Sequence, residues 1–277
     1  RVFVTILLTF ALYVSTFFLF NREESLRNFV FDFRVHGIIF CTVLSILAGG
    51  IINQFYDQEK DQLTKPFRTR IQKFLKQKYF LYAYLTLNLI SLGTAFLISP
   101  RVFFFFLIYQ FLMWFYSHKL SKILIVNNLT FVSLTVYPFF GMWIYYKTFS
   151  AKIFLMAIFL FLILLMIDII KDFLTKNADK MFGYATIPNQ LGSNVSKVIL
   201  GVISVLLMWI STVIISKEGI HNIMNLYFAG GLLILVFTIY LLLNPYKKSN
   251  FLVLNILRIW VFVGIIAMLM DGIILRF

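Results

Sequence analysis

Phe103-Phe104-Phe105-Phe106-Leu107-Ile108 sets six large apolar side chains in a row without a single polar interruption. A membrane-spanning β-strand alternates apolar and polar residues over segments of about ten, and this run fails to alternate at every step. In an apolar helix it is ordinary. On either side, apolar runs of similar character cover residues 2–20, 36–56, 79–98, 102–117, 124–146, 153–170, 196–216, 224–243 and 251–275. About 20 apolar residues cross a ~30 Å hydrocarbon core as a helix. The sequence therefore predicts an all-α integral membrane protein, a bundle of about nine transmembrane helices. Composition agrees: of 277 residues 61% are hydrophobic, 19% aromatic and only 13% charged, against roughly a quarter charged in soluble domains.

A net charge of +14 raises nucleic acid as a partner. The basic residues, however, lie in short loops between the apolar runs, where positive-inside topology accounts for them, so no nucleic-acid partner is expected. Arg1, the seven Lys and Arg from Lys60 to Lys78, Lys119, Lys122, Lys171, Lys176, Lys180, Lys197, Lys247 and Lys248 put 16 on one face. Arg22, Arg27, Arg34, Arg101, Lys147, Lys152, Lys217 and Arg276 put eight on the other, with Arg258 inside the ninth run. The richer face is then cytoplasmic and the N-terminus lies inside. No polar stretch is long enough for a soluble domain, so residues 1–277 are read as one transmembrane domain of two four-helix units plus a ninth helix. The single Cys41 excludes disulfide frameworks and Cys-based metal centres. The sequence opens at Arg1 rather than Met, so a few preceding residues are expected. The first run ends in Phe20-Asn21-Arg22-Glu23-Glu24, without the small residues of a cleavage site.

Six of the eleven acids fall in two short clusters, Asp57, Glu59 and Asp61 after the second run and Asp168, Asp172 and Asp179 after the sixth. Carboxylates at the end of an apolar helix are expensive unless paired or lining a polar cavity. Asn53, Asp57 and Asp61 are spaced i, i+4, i+8, which places them on one helical face, and Asp168 and Asp172 repeat the spacing. The second and sixth runs have the same direction in an alternating bundle, so their acidic ends are expected to face one another across one cavity. Oxygen ligands in this arrangement suit Mg²⁺, which takes one or two carboxylates plus substrate phosphates. The plainer alternative is helix-end acids solvated or paired with neighbouring lysines.

Asn53-Gln54-Phe55-Tyr56-Asp57-Gln58-Glu59-Lys60-Asp61 resembles the NxxxDxxxD motif of the UbiA superfamily of intramembrane prenyltransferases, and Lys65-Pro66-Phe67-Arg68 its following basic-proline turn. Asp168-Ile169-Ile170-Lys171-Asp172, with Asp179-Lys180, Gly183, Thr186-Ile187-Pro188 and Leu191-Gly192, is similar to the second motif and its tail. Tyr116-Ser117-His118-Lys119-Leu120-Ser121-Lys122 with Asn128 resembles the segment after the fourth span, and this stretch together with Ile169-Ile170-Lys171-Asp172 looks most like the archaeal-type branch that prenylates geranylgeranylglyceryl phosphate. Gln54 stands where the superfamily often has Asp, and Ile71-Gln72 where it often has Ser-Gly.

The resemblance implies transfer of an isoprenoid from a polyprenyl diphosphate to a small acceptor, either an aromatic quinone precursor or a glycerol-phosphate lipid. Asp57, Asp61, Asp168, Asp172 and Asp179 are the expected Mg²⁺ ligands. Asn53, Arg68, Lys119, Lys122 and Lys171 are the expected diphosphate contacts, and Tyr116, Lys119 and Asp172 the expected catalytic residues. Tyr116 and Lys119, three apart at a helical end, are expected on one face. Tyr116 would lie against the allylic cation or donate to the phosphate, with Tyr56 a second aromatic candidate. The active site would face the cytoplasm. A cation-coupled transporter is the competing reading of the clustered acids. His36, His118 and His221 form no metal-ligand spacing, although His118 could touch substrate. Arg258 is expected to face the bundle or a cavity, Asp271 to be interfacial, and Pro138 with Gly141 to kink the fifth span.

Overall fold

The computed structural model of the chain describes residues 2–21, 25–64, 66–67, 77–218, 222–243 and 247–276. Each predicted apolar run is helical there, and no β-strand occurs among the described residues. In chain order the elements are α1 (Val2–Val14), continued by a π-helical turn (Ser15–Phe20), α2 (Leu26–Val30), α3 (Phe33–Tyr56), α4 (Gln58–Thr64), α5 (Gln77–Ile98) and α6 (Pro100–His118). There follow a 3₁₀ turn (Leu120–Lys122), α7 (Val126–Tyr146), α8 (Ala151–Met181), α9 (Ile187–Gln190), α10 (Gly192–Glu218), α11 (Ile223–Leu243) and α12 (Lys247–Arg276). Among the described residues, seven of these (α3, α5, α7, α8, α10, α11 and α12) are long and apolar enough to cross a membrane. The chain is an integral membrane protein. Two predicted spans stand outside that group: the first is the shorter apolar stretch Val4–Phe20, and α6 dilutes its phenylalanines with Arg101, Gln110 and His118.

Helix starts follow local chemistry. Ser99 Oγ accepts the Val102 N–H at 3.2 Å, with Pro100 in the first turn of α6, and Ser150 Oγ accepts the Ile153 N–H at 3.2 Å at the start of α8. Each satisfies one of the amide groups that a helix start leaves without an intrahelical acceptor, a contribution of about 1 kcal/mol. At the other end of α8, Gly183 takes φ +72°, the left-handed conformation that ends many helices and that glycine adopts without a Cβ penalty.

The chain divides into two compact units, residues 1–17 with 21–146 and residues 18–20 with 147–277. The first carries α1 to α7 and the start of the π-helical turn. Its α3, α5 and α6 are joined by a buried polar network: Ser45 and Ser91 hydroxyls hydrogen-bond at 3.1 Å, Ser91 Oγ donates to the Cys41 carbonyl at 3.1 Å, and Gln110 Nε2 donates to Ser45 Oγ at 3.2 Å. Small hydroxyl residues allow helices to approach closely and hold them by interhelical hydrogen bonds where no hydrophobic drive exists between spans. The second unit packs α8, α10, α11 and α12 through aromatic contacts. Tyr227 of α11 stacks on Trp260 of α12 at 4.6 Å between ring centroids, and Phe228 meets Phe159 of α8 edge-on at 5.1 Å.

Arg258 does not face the packed interior. It is exposed on α12, so of the two placements its cost in the bilayer allowed, bundle interior or cavity, the bundle interior is not adopted. A long arginine stem can lie along apolar surface while the guanidinium reaches toward the interface, so burial is not its only solution.

Candidate active site residues in each unit

In the first unit the end of α3 carries the first acidic series. The Asp57 N–H donates to the Asn53 carbonyl at 3.0 Å and the Asp61 N–H to the Asp57 carbonyl at 2.8 Å. The predicted i, i+4, i+8 series thus runs through the junction with α4, although Asp57 itself adopts φ −93°, ψ 11°. Asn53 Nδ2 donates to Asp57 Oδ2 at 2.7 Å, which orients that carboxylate. Asp61 is only 4% exposed, and a carboxylate so desolvated demands charge compensation. Gly49 lets α6 approach just before this end, since a Cβ there would stand 2.6 Å from Met113 Sδ. The Tyr56 ring meets His118 at 5.4 Å, and His118 in turn stacks on Trp114 at 5.4 Å. The first acidic turn and the Tyr-Ser-His-Lys segment are therefore neighbours within one unit.

That segment forms a hairpin turn between α6 and α7. Tyr116 donates its hydroxyl to Asn127 Oδ1 at 2.9 Å across the turn. Lys119 and Lys122 are exposed, while Ser121, Asn127 and Asn128 are buried. Lys119 caps α6 with φ −134°, and its N–H still donates to the Phe115 carbonyl at 2.9 Å. The Val126 N–H donates to the Leu124 carbonyl at 2.7 Å around Ile125, whose φ is +66°. This is a γ-turn with a β-branched residue in the left-handed region, a conformation costing of order 1–3 kcal/mol. Ile125→Gly is accordingly expected to leave the thermal unfolding midpoint at or above that of the parent protein. A fall of several degrees would show that the turn carries no such strain.

In the second unit α8 continues past the predicted end of its span to Met181, so Asp168, Asp172 and Asp179 all belong to one helix. They are 3%, 4% and 0% exposed. With Thr175 they follow steps of four, three and four, one stripe of a helix. Thr175 Oγ1 donates to Asp179 Oδ2 at 2.7 Å. At ~1.5 Å rise per residue, Asp179 lies roughly 16 Å along the axis from Asp168, so the stripe offers more than one position for positive charge. Lys171 Nζ pairs with Asp168 Oδ1 at 2.9 Å. After Gly183 the chain folds back, with the Tyr184 N–H on the Asp179 carbonyl at 2.9 Å and Asn189 Nδ2 on the Tyr184 carbonyl at 2.9 Å.

Within either unit, no three His, Cys, Asp or Glu side chains among the described residues form a ready-made metal cage. The donors are all oxygens presented one or two per turn. That suits a hard cation completed by water and substrate phosphate, the habit of Mg²⁺. Arg68, the predicted diphosphate contact, lies outside the described residues, as does His221. Asn127, the partner of Tyr116, and Thr175, the partner of Asp179, were not among the predicted site residues. The step from Asp172 to Thr175 to Asp179 is the sequence signal that identifies the second of these.

Among the described residues, seven helices are long and apolar enough to cross a membrane, and buried carboxylates lie on α4 and at the end of α8. The chain belongs to the UbiA prenyltransferase family, which matches residues 27–262, and it is a prenyltransferase. The digeranylgeranylglyceryl phosphate synthase of Thermococcus sibiricus is 28% identical over 240 residues, 85% of this chain and 84% of that one. The synthase of the same name from Thermococcus gammatolerans is 29% identical over 157 residues, 56% of each chain. The same fold occurs in a UbiA homologue from Archaeoglobus fulgidus bound to DMAPP and Mg²⁺, with a TM-score of 0.70 at 14% identity over 98% of this chain and 96% of that one.

Proposed function

We propose that the protein transfers a polyprenyl group from its diphosphate to the hydroxyl of a glycerol-phosphate lipid, using Mg²⁺ and releasing diphosphate within the cytoplasmic membrane. The observation that carries this reading is the buried carboxylate stripe of α8, Asp168, Asp172 and Asp179, matched by buried Asp61 at the end of the α3–α4 series. Carboxylates cannot bind a diphosphate directly, and burial leaves them in need of cations. Names of the curated relatives support the phosphate-bearing lipid as acceptor over an aromatic quinone precursor. Membership of a prenyltransferase family removes the transporter reading.

Asp57, Asp61, Asp168, Asp172 and Asp179 would hold Mg²⁺. The ion supplies neutralisation of the charge that develops on the departing diphosphate. The remaining work falls to the chain's own side chains. Asn53 holds the Asp57 carboxylate in one orientation. Lys119 and Lys122, together with Arg68, add positive charge from the loops that follow the helix ends. Lys171 offsets part of the negative charge of Asp168. Tyr116 has committed its hydroxyl to Asn127, so what it offers the allylic cation is its ring face.

Purified protein supplied with geranylgeranyl diphosphate, Mg²⁺ and either a geranylgeranylglyceryl phosphate or an aromatic acid should yield a prenylated product by mass spectrometry from the lipid only. Product from the aromatic acid alone would replace the proposed acceptor.

Nine spanning helices and a cytoplasmic N-terminus complete this reading, since the 16-to-8 division of basic residues puts residues 57–78 and 171–195 inside. Gln77, exposed at the start of α5, gives a direct check. In a Cys41-free background, Gln77→Cys should resist a membrane-impermeant maleimide added outside sealed cells and react after permeabilisation. Efficient labelling from outside would invert the topology.

A further inference from the structure

Pro138 sits inside α7, where it has no N–H to give the carbonyl four residues earlier, that of Leu134. In a membrane such a carbonyl must find another donor. It finds one on the neighbouring helix: the hydroxyl of Tyr109, from α6, donates to the Leu134 carbonyl at 3.1 Å. Tyr109 is 2% exposed, and its ring lies flat on Tyr137 at 4.7 Å with 4° between the planes. Tyr137 stacks in turn on Phe105 at 4.4 Å, and Gly141 leaves the room that the Phe105 ring occupies on α7. The hydrogen bonding of one helical turn is thus shared between two helices.

Positions along the two helices show what the shared bond governs. Tyr109 to Tyr116 is seven residues on α6, and Leu134 back to Asn127 is seven on α7, both about two helical turns. Tyr109 with Leu134 and Tyr116 with Asn127 are therefore successive rungs of one antiparallel seam. The second rung closes on the strained turn that bears Lys119 and Lys122.

We infer that Tyr109 is a positioning residue: its hydroxyl replaces the donor that Pro138 lacks, ties that turn of α7 to α6, and so sets the register of Tyr116 with Asn127 at the basic turn. The catalytic consequence rests on the reaction proposed above, whereas the hydrogen-bond exchange does not.

The test is a cycle of Tyr109→Phe, Pro138→Ala and the double variant in the full-length protein in lipid nanodiscs. Thermal unfolding is read together with kcat and KM for the donor. Tyr109→Phe should lower the unfolding midpoint by roughly 3–6 °C and, well below that midpoint, lower kcat about tenfold or more, as misplacement of a reacting group does. In the double variant the backbone N–H regained by Pro138→Ala can rejoin the Leu134 carbonyl, so the midpoint should return while kcat stays low, because the tie between α6 and α7 is gone. A midpoint unchanged by Tyr109→Phe, or not restored by Pro138→Ala in its background, overturns the exchange of donors. Full recovery of kcat in the double variant overturns positioning and leaves a stabilising bond only. Absence of prenyl transfer in the parent protein would count against the proposed reaction, while the unfolding cycle would still decide the exchange.

Discussion

Asp172→Ala should abolish prenyl transfer in a protein that remains folded. Asp172 is buried on α8 one turn after Asp168 and one before Thr175, and in the proposed reaction its charge acts on the diphosphate through Mg²⁺. Stabilising charge that appears on a leaving group is worth several kcal/mol, and at 1.36 kcal/mol per factor of ten the loss is about 10³-fold or more in kcat. Size-exclusion behaviour should be unchanged, since Asp168 remains to pair with Lys171 at 2.9 Å. Turnover near that of the parent protein would exclude Asp172 from the metal site. Asp172→Asn separates charge from shape and should fail nearly as completely.

Lys119→Met is expected to have the next largest effect, a fall in kcat of about 10- to 100-fold at saturating donor and Mg²⁺. Lys119 is exposed at the end of α6, beside the turn that Tyr116 and Asn127 close. A cation that acts mainly on charge developing in the transition state lowers kcat and kcat/KM together, whereas uniform donor binding alters KM with kcat unchanged. Tyr116→Phe should be milder, because it keeps the ring and loses only the bond to Asn127. If Lys119→Met alters neither constant, the segment serves topology alone.

Much of this architecture was legible in the sequence because the bilayer leaves few options. The apolar runs could only be helices, and the carboxylates at their ends stood out by cost. The i, i+4 spacing of Asn53 and Asp57 became a 2.7 Å hydrogen bond, and that of Asp168 and Asp172 became one stripe of α8. What sequence spacing could not supply was cross-helix contact. Pro138 announces a missing donor but not that Tyr109, 29 residues earlier, supplies it. The left-handed backbone of Ile125 was hidden for a different reason, since β-branched residues avoid that region unless their surroundings impose it.

Whether the two acidic series act on a single donor is best measured by binding. A non-reactive prenyl thiodiphosphate should be titrated calorimetrically into the nanodisc-embedded protein, with and without Mg²⁺, in the parent, Asp61→Asn, Asp172→Asn and the double variant. One Mg²⁺-dependent diphosphate site requires that binding vanish without the metal and that each single change weaken it about 10- to 100-fold. The double variant should then be little weaker than either single one, as groups sharing one network are not additive. Binding that ignores Mg²⁺, or losses that simply multiply in the double variant, would contradict a common site for Asp61 and Asp172.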